Sequence, residues 1–111
     1  MAAVIIATAQ MLPRENQRAA TLEILEYVRK RVSSMPGCVM AALFEASGQS
    51  KQVLYMEQWN SEQSLRSHIQ SSLYRYLLDA LELSAESPTI SFQKVSETRS
   101  MDLIQELRAK T

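Results

Sequence analysis

The 111-residue sequence predicts an α+β domain built on a four-stranded antiparallel sheet. Apolar β-branched runs and amphipathic runs follow one another in the order strand–helix–strand–strand–helix–strand, which is the ferredoxin-like arrangement. Pro and Gly stand between the runs where turns are needed. The length is that of one domain, so we expect residues 1–111 to form a single unit with its core in 3–96.

The first half of the chain supplies a strand, a long helix and a second strand. Residues 3–12 are apolar and β-branched and stop at Pro13, which favours a strand. Residues 14–34 carry apolar side chains at three- and four-residue spacing, which predicts an amphipathic helix. The sequence SSMPG at 33–37 ends this helix, and residues 38–46 form the next apolar run. The apolar stripe of the helix consists of Ala20, Ile24, Leu25, Val28 and Val32.

A hairpin and the start of a second helix come next. A Gly-containing turn at 47–50 joins the second strand to a third at 52–59. Asn60 or Ser61 then caps a helix. With Asn60 as the cap, Gln63 takes the capping-box position.

The second half completes the sheet and adds one element. A helix is predicted over 61–84, but residues 68–72 are weak helix formers, so we expect a kink or break there. Residues 89–95 alternate polar and apolar side chains, as a half-buried strand does. A short amphipathic helix is predicted over 100–110.

Charge and composition exclude several classes of function. Twelve basic and twelve acidic residues give zero net charge, which argues against nucleic acid as a partner because phosphate binding needs a basic excess. One cysteine, Cys38, and one histidine are too few for a soft-ligand metal site. With two glycines, a Gly-rich phosphate loop is not expected.

The same features predict where the protein works. No stretch approaches the ~18 apolar residues of a membrane span, so we expect no membrane partner. The N-terminal run lacks the positive flank of a signal peptide. A single cysteine fits a reducing compartment. We therefore expect a cytoplasmic location.

The predicted sheet is apolar on both faces, which predicts a homodimer. A sheet wet on one side should show polar residues at every second position, and the second strand does not, with Val39, Ala41 and Leu43 on one face and Met40, Ala42 and Phe44 on the other. A second copy packed face to face would make a homodimeric α+β barrel. The alternative is that the C-terminal helix covers this face within one chain.

Several stretches together resemble the antibiotic biosynthesis monooxygenase family of small dimeric α/β-barrel proteins. They are PGC at 36–38, MEQWNSEQSLRSH at 56–68, SLYRYL at 72–77 and SPTISFQKV at 87–95. The strongest part is Glu-x-Trp at the end of a strand, followed by His nine residues after the Trp. The resemblance covers about residues 3–96.

The resemblance implies oxygenation of a small aromatic or quinol-type substrate without metal, flavin or haem. The family also includes proteins without proven activity, so a non-catalytic ligand-binding or regulatory barrel is the main alternative. A haem-degrading enzyme is a second alternative. A related haem-degrading group has an Asn in the first strand and a ten-residue Trp–His step, and this chain has neither.

His68 is the first candidate for catalysis. A helix that folds back from Ser61 over the third strand brings His68 above Met56 and Glu57. It falls on the shoulder of the apolar stripe, at the rim of a cavity between helix and sheet. As the only histidine, it is the side chain expected to titrate near neutral pH and to serve as a general base. The alternative is a surface or dimer-rim histidine.

The other candidates lie on the third strand and the second helix. Tyr55, Glu57 and Trp59 alternate on one face, so Trp59 and Tyr55 could stack on a planar substrate. Trp59 is counted with His68 as catalytic, although it could equally be core. Glu57 would need a partner when buried, either Arg75 or His68. Tyr74 is expected to be freer than Tyr76 and to contact substrate.

Overall fold

The computed structural model describes residues 4–110. The predicted start of the first strand, Ala3, lies outside this range. Within it the elements are β1 Val4–Met11, α1 Arg18–Val32, β2 Cys38–Glu45, β3 Val53–Trp59, α2 Glu62–Ile69, α3 Tyr74–Glu82, β4 Thr89–Val95 and α4 Met101–Ala109. A short 3₁₀ turn, Glu15–Gln17, precedes α1.

The four strands form one antiparallel sheet in the order β2–β3–β1–β4. This confirms the predicted ferredoxin-like α+β fold. Helix α1 packs on the sheet with Leu25, Val28 and Val32, as its spacing predicted. Ala20 is exposed, and the neighbouring Thr21 is buried in its place, with its hydroxyl donating to the carbonyl of Gln17 at 2.8 Å.

The predicted helix over 61–84 is two helices, α2 and α3, with a break at 70–73. The hydroxyl and the amide of Ser71 both bond the carbonyl of His68, at 2.6 and 3.0 Å. A serine that satisfies a helical carbonyl in this way favours the end of a helix. The break therefore has a local cause in the polar stretch that was expected to be weak.

One face of the sheet carries the helices and the core. On this face the buried residues of β1 pair with those of β3, as in Ile5 with Trp59, Ala7 with Glu57 and Ala9 with Tyr55. We call the opposite side the open face; Met56 lies on it. A bulge at Val39 interrupts the predicted alternation of β2, because Cys38 rather than Val39 shares the core face with Ala41 and Leu43.

The open face is not covered by α4 within the chain. Every described residue of α4 is exposed, including Met101, Ile104 and Leu107 at 60, 53 and 53%. The structure therefore does not show the alternative in which the C-terminal helix covers the open face of its own chain. In the described part of the chain, no helix is long and apolar enough to cross a membrane.

Candidate functional site

Strand β3 directs three of the candidate side chains under the helices. Tyr55, Glu57 and Trp59 occupy alternate positions, which point to the same side of a sheet, and all three are buried. This confirms the prediction that these three side chains share one face of the strand. Because β3 lies between β1 and β2, its side chains are enclosed on both sides as well as from above.

The turn after β3 sets the position of α2. Ser61 is the N-cap, and its hydroxyl oxygen accepts from the amide of Ser64 at 3.1 Å. The cap is thus one residue later than the capping-box prediction with Asn60, and Ser64 rather than Gln63 takes the third helical position. Gly37 packs against Ser64 with a φ of +87°, where a side chain would collide with the serine.

His68 lies on the buried side of α2. It is fully buried, which corrects its expected place on a shoulder at a cavity rim. Helical geometry predicted that His68 lies beside the apolar stripe of α2 that includes Leu65. The aromatic rings that enclose it come instead from β3 and α3. Its predicted neighbour Glu57 is its partner, and Arg75, the alternative partner, is exposed.

A single buried carboxylate organises the site. Glu57 Oε1 accepts from Trp59 Nε1 at 2.9 Å, and Oε2 accepts from the Tyr55 hydroxyl at 2.8 Å. His68 Nε2 lies 3.0 Å from the same Oε2. Three groups thus converge on the two buried oxygens of one carboxylate, which satisfies its hydrogen-bonding capacity away from water.

The hydrogen bond to Glu57 fixes the state of the imidazole. A carboxylate oxygen accepts, so this bond requires a hydrogen on His68 Nε2, and in the neutral tautomer with that hydrogen Nδ1 keeps a free lone pair. Within residues 4–110, Nδ1 has no hydrogen-bond partner although it is fully enclosed. Such an atom is able to bind a proton or to receive a hydrogen bond from a ligand.

Two aromatic rings enclose the imidazole. The Trp59 ring stacks on it with centroids 5.2 Å apart and planes 29° apart. The Tyr74 ring meets it edge-on, with centroids 5.1 Å apart and planes 79° apart. Trp59 thus contacts both members of the Glu57–His68 pair, one through its N–H and one through its ring face.

The carboxylate also affects the tyrosines beside it. Burial, followed by the charge of Glu57, raises the pKa of Tyr55 far above its ordinary value, so this phenol stays protonated as a donor. The same two causes raise the pKa of Tyr74. Burial raises the pKa of the Cys38 thiol as well, which keeps it protonated and inert as a nucleophile.

A small recess borders the carboxylate. Its volume of about 10 Å³ is room for about one water molecule. Three of the predicted residues line it, namely Tyr55, Glu57 and Tyr74. Trp59 and His68 lie behind Glu57 and do not line it. The remaining walls are Ala7, Thr8, Ala9, Leu77, Ile90 and Phe92.

The sequence prediction missed these remaining walls and exchanged the roles of two tyrosines. Ile90 and Phe92 alternate on β4, so the sequence predicts that they share one face of the strand. The sequence does not show that this face adjoins the recess. Tyr76 was expected in the core, yet it is 45% exposed and packs on Tyr27 at 5.0 Å between centroids. Tyr74, expected to be freer, is the one that packs on the core.

No set of three or more His, Cys, Asp or Glu side chains that could hold a metal is present in residues 4–110. The buried polar groups of the site are instead bonded to one another, apart from His68 Nδ1. The donor set of one carboxylate and one imidazole is also short of the three or four ligands of common protein metal sites.

Comparison with known proteins agrees with this fold. The model of the family described as antibiotic biosynthesis monooxygenase matches residues 4–79. Among curated proteins, none matches the sequence.

Solved structures share the architecture at low identity. A protein from Mycobacterium tuberculosis superposes with a TM-score of 0.78 at 20% identity, over 87% of this chain and 99% of its own. A Bacteroides thetaiotaomicron protein of unknown function, called a possible oxidoreductase, gives 0.77 at 17%, over 86% and 100%. A structure named antibiotic biosynthesis monooxygenase gives 0.73 at 14%, over 84% and 99%. At such identities the likeness shows the fold.

Proposed function

Because the chain belongs to the antibiotic biosynthesis monooxygenase family, we propose that it oxidises a small aromatic or quinol-type compound with O₂, without metal, flavin or haem. His68 and Trp59 are the proposed catalytic residues, and Tyr55, Glu57 and Tyr74 bind substrate. The observation that carries the proposal is the buried Glu57–His68 pair beside the recess, with Nδ1 of the histidine unpartnered among the described residues.

The first proposed step removes a proton from a hydroxyl group of the substrate. Glu57 lines the recess and accepts the hydrogen bond of that hydroxyl. When the substrate displaces the side chains that enclose Nδ1 of His68, its hydroxyl turns from Glu57 to that atom. The O–H bond breaks as Nδ1 takes the proton, and the Glu57 carboxylate stabilises the imidazolium that results. Trp59 keeps both groups in place through its stack and its N–H bond.

The second proposed step is reaction of the electron-rich anion with O₂. A hydroxyarene and O₂ together give a quinone and water. One oxygen atom enters the ring as a carbonyl, the other leaves as water, and the substrate supplies all four electrons. No external reductant is required. Leu77 and Phe92 make the recess apolar beside the carboxylate, which keeps bulk water from the reacting carbon.

Oxygen consumption with a panel of quinols and naphthols tests this function. We expect uptake above the buffer rate for at least one compound, and His68→Ala should lower turnover by about 10²-fold, the usual scale for loss of a general base. His68→Gln is the sharper variant because its amide can still donate to Glu57 while the basic nitrogen is gone. Arg66→Gln, on the exposed side of α2, is the matched control. Full activity of His68→Gln would refute the role as base.

The proposed active form is a homodimer in the cytoplasm. Proteins of this family are typically small-ligand-binding dimers, and the apolar side chains on the open face, including half-exposed Phe44, need a cover. The exposed apolar stripe of α4, including Ile104 and Leu107, is proposed to pack at the same contact.

A non-catalytic ligand-binding barrel is the second candidate. It is favoured by one observation: Glu57 already has three donors, and the recess has room for about one water molecule. A change in Trp59 fluorescence on adding quinols, without oxygen uptake, would select this candidate. A haem-binding role would require His68 to leave Glu57, and a Soret band on haem addition would reveal it.

A further inference from the structure

The recess beside Glu57 is too small for any aromatic ring, yet one side chain beside it has the size and chemistry of a phenol. Tyr74 lines the recess together with Glu57. It also lines an open groove of about 800 Å³ on the outer side of the break between α2 and α3. The Tyr74 side chain therefore stands between the inner recess and the outer groove.

The position of the Tyr74 ring is one that a substrate ring would need. It meets the His68 ring edge-on at 5.1 Å. The nearby charge of Glu57 acts on its phenol, as the raised pKa of Tyr74 reflects. Its hydroxyl has no hydrogen-bond partner in residues 4–110, so moving the ring breaks no side-chain hydrogen bond there.

The backbone at Tyr74 permits such a movement. Tyr74 is the first residue of α3, and Leu73 before it supplies no capping side chain. The first turn of α3 is held only by backbone bonds, such as Tyr74 N–H to the carbonyl of Ser71 at 3.2 Å. These bonds hold the backbone and not the phenol, so the ring is able to turn about its own side-chain bonds while α3 stays in place.

We propose that Tyr74 is a plug whose phenol ring occupies the place of the substrate's hydroxylated ring until a ligand displaces it. When the ring swings towards the groove, the space it leaves joins the recess and accepts one six-membered hydroxyaromatic ring, with its hydroxyl towards Glu57. The remainder of a larger ligand lies in the groove, beside Arg75 and Leu78. This inference deepens the proposed function, on which it rests for the class of ligand.

The test follows the plug directly by ¹⁹F NMR. The protein is labelled with 3-fluorotyrosine, and its four tyrosine signals are assigned with single Tyr→Phe variants. An unreactive phenol, 4-cyanophenol, is then titrated up to millimolar concentration. We expect the Tyr74 signal to move to the position of an exposed tyrosine, with a smaller change at Tyr55. Binding without movement of the Tyr74 signal, or no binding by the wild-type protein, would overturn the proposal.

Variants add a second measurement, the affinity for 4-cyanophenol read from Trp59 fluorescence. Tyr74→Ala should bind at least about tenfold tighter than the wild type, because the fraction of competent molecules then no longer limits affinity. This gain exceeds the loss of any contact that the displaced Tyr74 ring makes with the ligand. Leu77→Ala and Phe92→Ala enlarge other walls of the recess and are the controls. Equal gains in the controls, or none in Tyr74→Ala, would show that Tyr74 is not the plug.

The two proposals fail in different ways. If Tyr74 moves on binding but no quinol consumes O₂, the oxygenase proposal is wrong and the plug remains. If O₂ is consumed while the Tyr74 signal stays in place, the plug is wrong and the oxygenase proposal remains.

Discussion

Replacing the Glu57 carboxylate by an amide is the substitution that most directly probes the structure of the site. Glu57→Gln keeps the shape but replaces one acceptor oxygen by an NH₂ group. The three donors from Tyr55, Trp59 and His68 then meet an acceptor with one oxygen. At least one buried donor loses its partner, and an unsatisfied buried donor costs about 1–3 kcal/mol.

We therefore expect Glu57→Gln to lower the free energy of unfolding by about 2 kcal/mol or more. This is a large share of the 5–15 kcal/mol typical of a domain. Urea unfolding followed by Trp59 fluorescence measures it, at one fixed protein concentration because association also adds stability. Glu45→Gln removes an exposed pair with Arg18 and should cost under about 1 kcal/mol.

A double-mutant cycle with Tyr55→Phe tests whether the loss of stability in Glu57→Gln comes from the hydrogen bonds to the carboxylate. Tyr55→Phe removes one donor to Glu57, so Glu57→Gln should cost less in that background. Residues in one buried network commonly couple by about 0.5–3 kcal/mol. A cost of Glu57→Gln no greater than that of Glu45→Gln, or additive effects of the two changes, would refute the idea that the carboxylate holds the site together.

Three further predictions follow from the same structure. Sedimentation should give about twice the 12.6 kDa of one chain, and deleting residues 100–111 should weaken association; a monomer at micromolar concentration would contradict the dimer. Stability should fall as pH rises above 10.0, the ordinary pKa of Tyr55, because the unfolded chain releases a proton that the folded chain retains. Tyr55→Phe should flatten this decline in urea titrations, and a profile equal to that of the wild type would contradict it. On a confirmed substrate, Trp59→Phe should weaken binding more than turnover, and the opposite split would assign Trp59 to the chemical step.

The fold was predictable because, at each element, the spacing of the hydrophobic residues and the positions of the turn residues indicated the same type of secondary structure. The order of elements alone gave the ferredoxin-like sheet, and the period of two in β3 placed Tyr55, Glu57 and Trp59 on one face. The fold-back of the following helix then placed His68 above Met56 and Glu57, with His68 and Arg75 as alternative partners of the carboxylate. These inferences need only local geometry and one chain reversal.

The rest of the site depends on contacts between distant elements. The ring of Tyr74 is one of the two rings that enclose His68. Tyr74 begins the helix after the break at 70–73, and a helical wheel drawn through 61–84 does not include that break. The bulge at Val39 shifts a register that simple alternation cannot show. The recess walls Ile90 and Phe92 come from a strand that adjoins the site only through β1.

Oxygen labelling tests the central claim most directly. Chelator-treated protein is incubated with a quinol or naphthol under ¹⁸O₂, and the product is examined by mass spectrometry. The proposed reaction predicts one ¹⁸O atom in each quinone formed, the second in water, and a loss of about 10²-fold in rate for His68→Gln. Unlabelled quinone with hydrogen peroxide, or no turnover of any compound that changes Trp59 fluorescence, would contradict a monooxygenase.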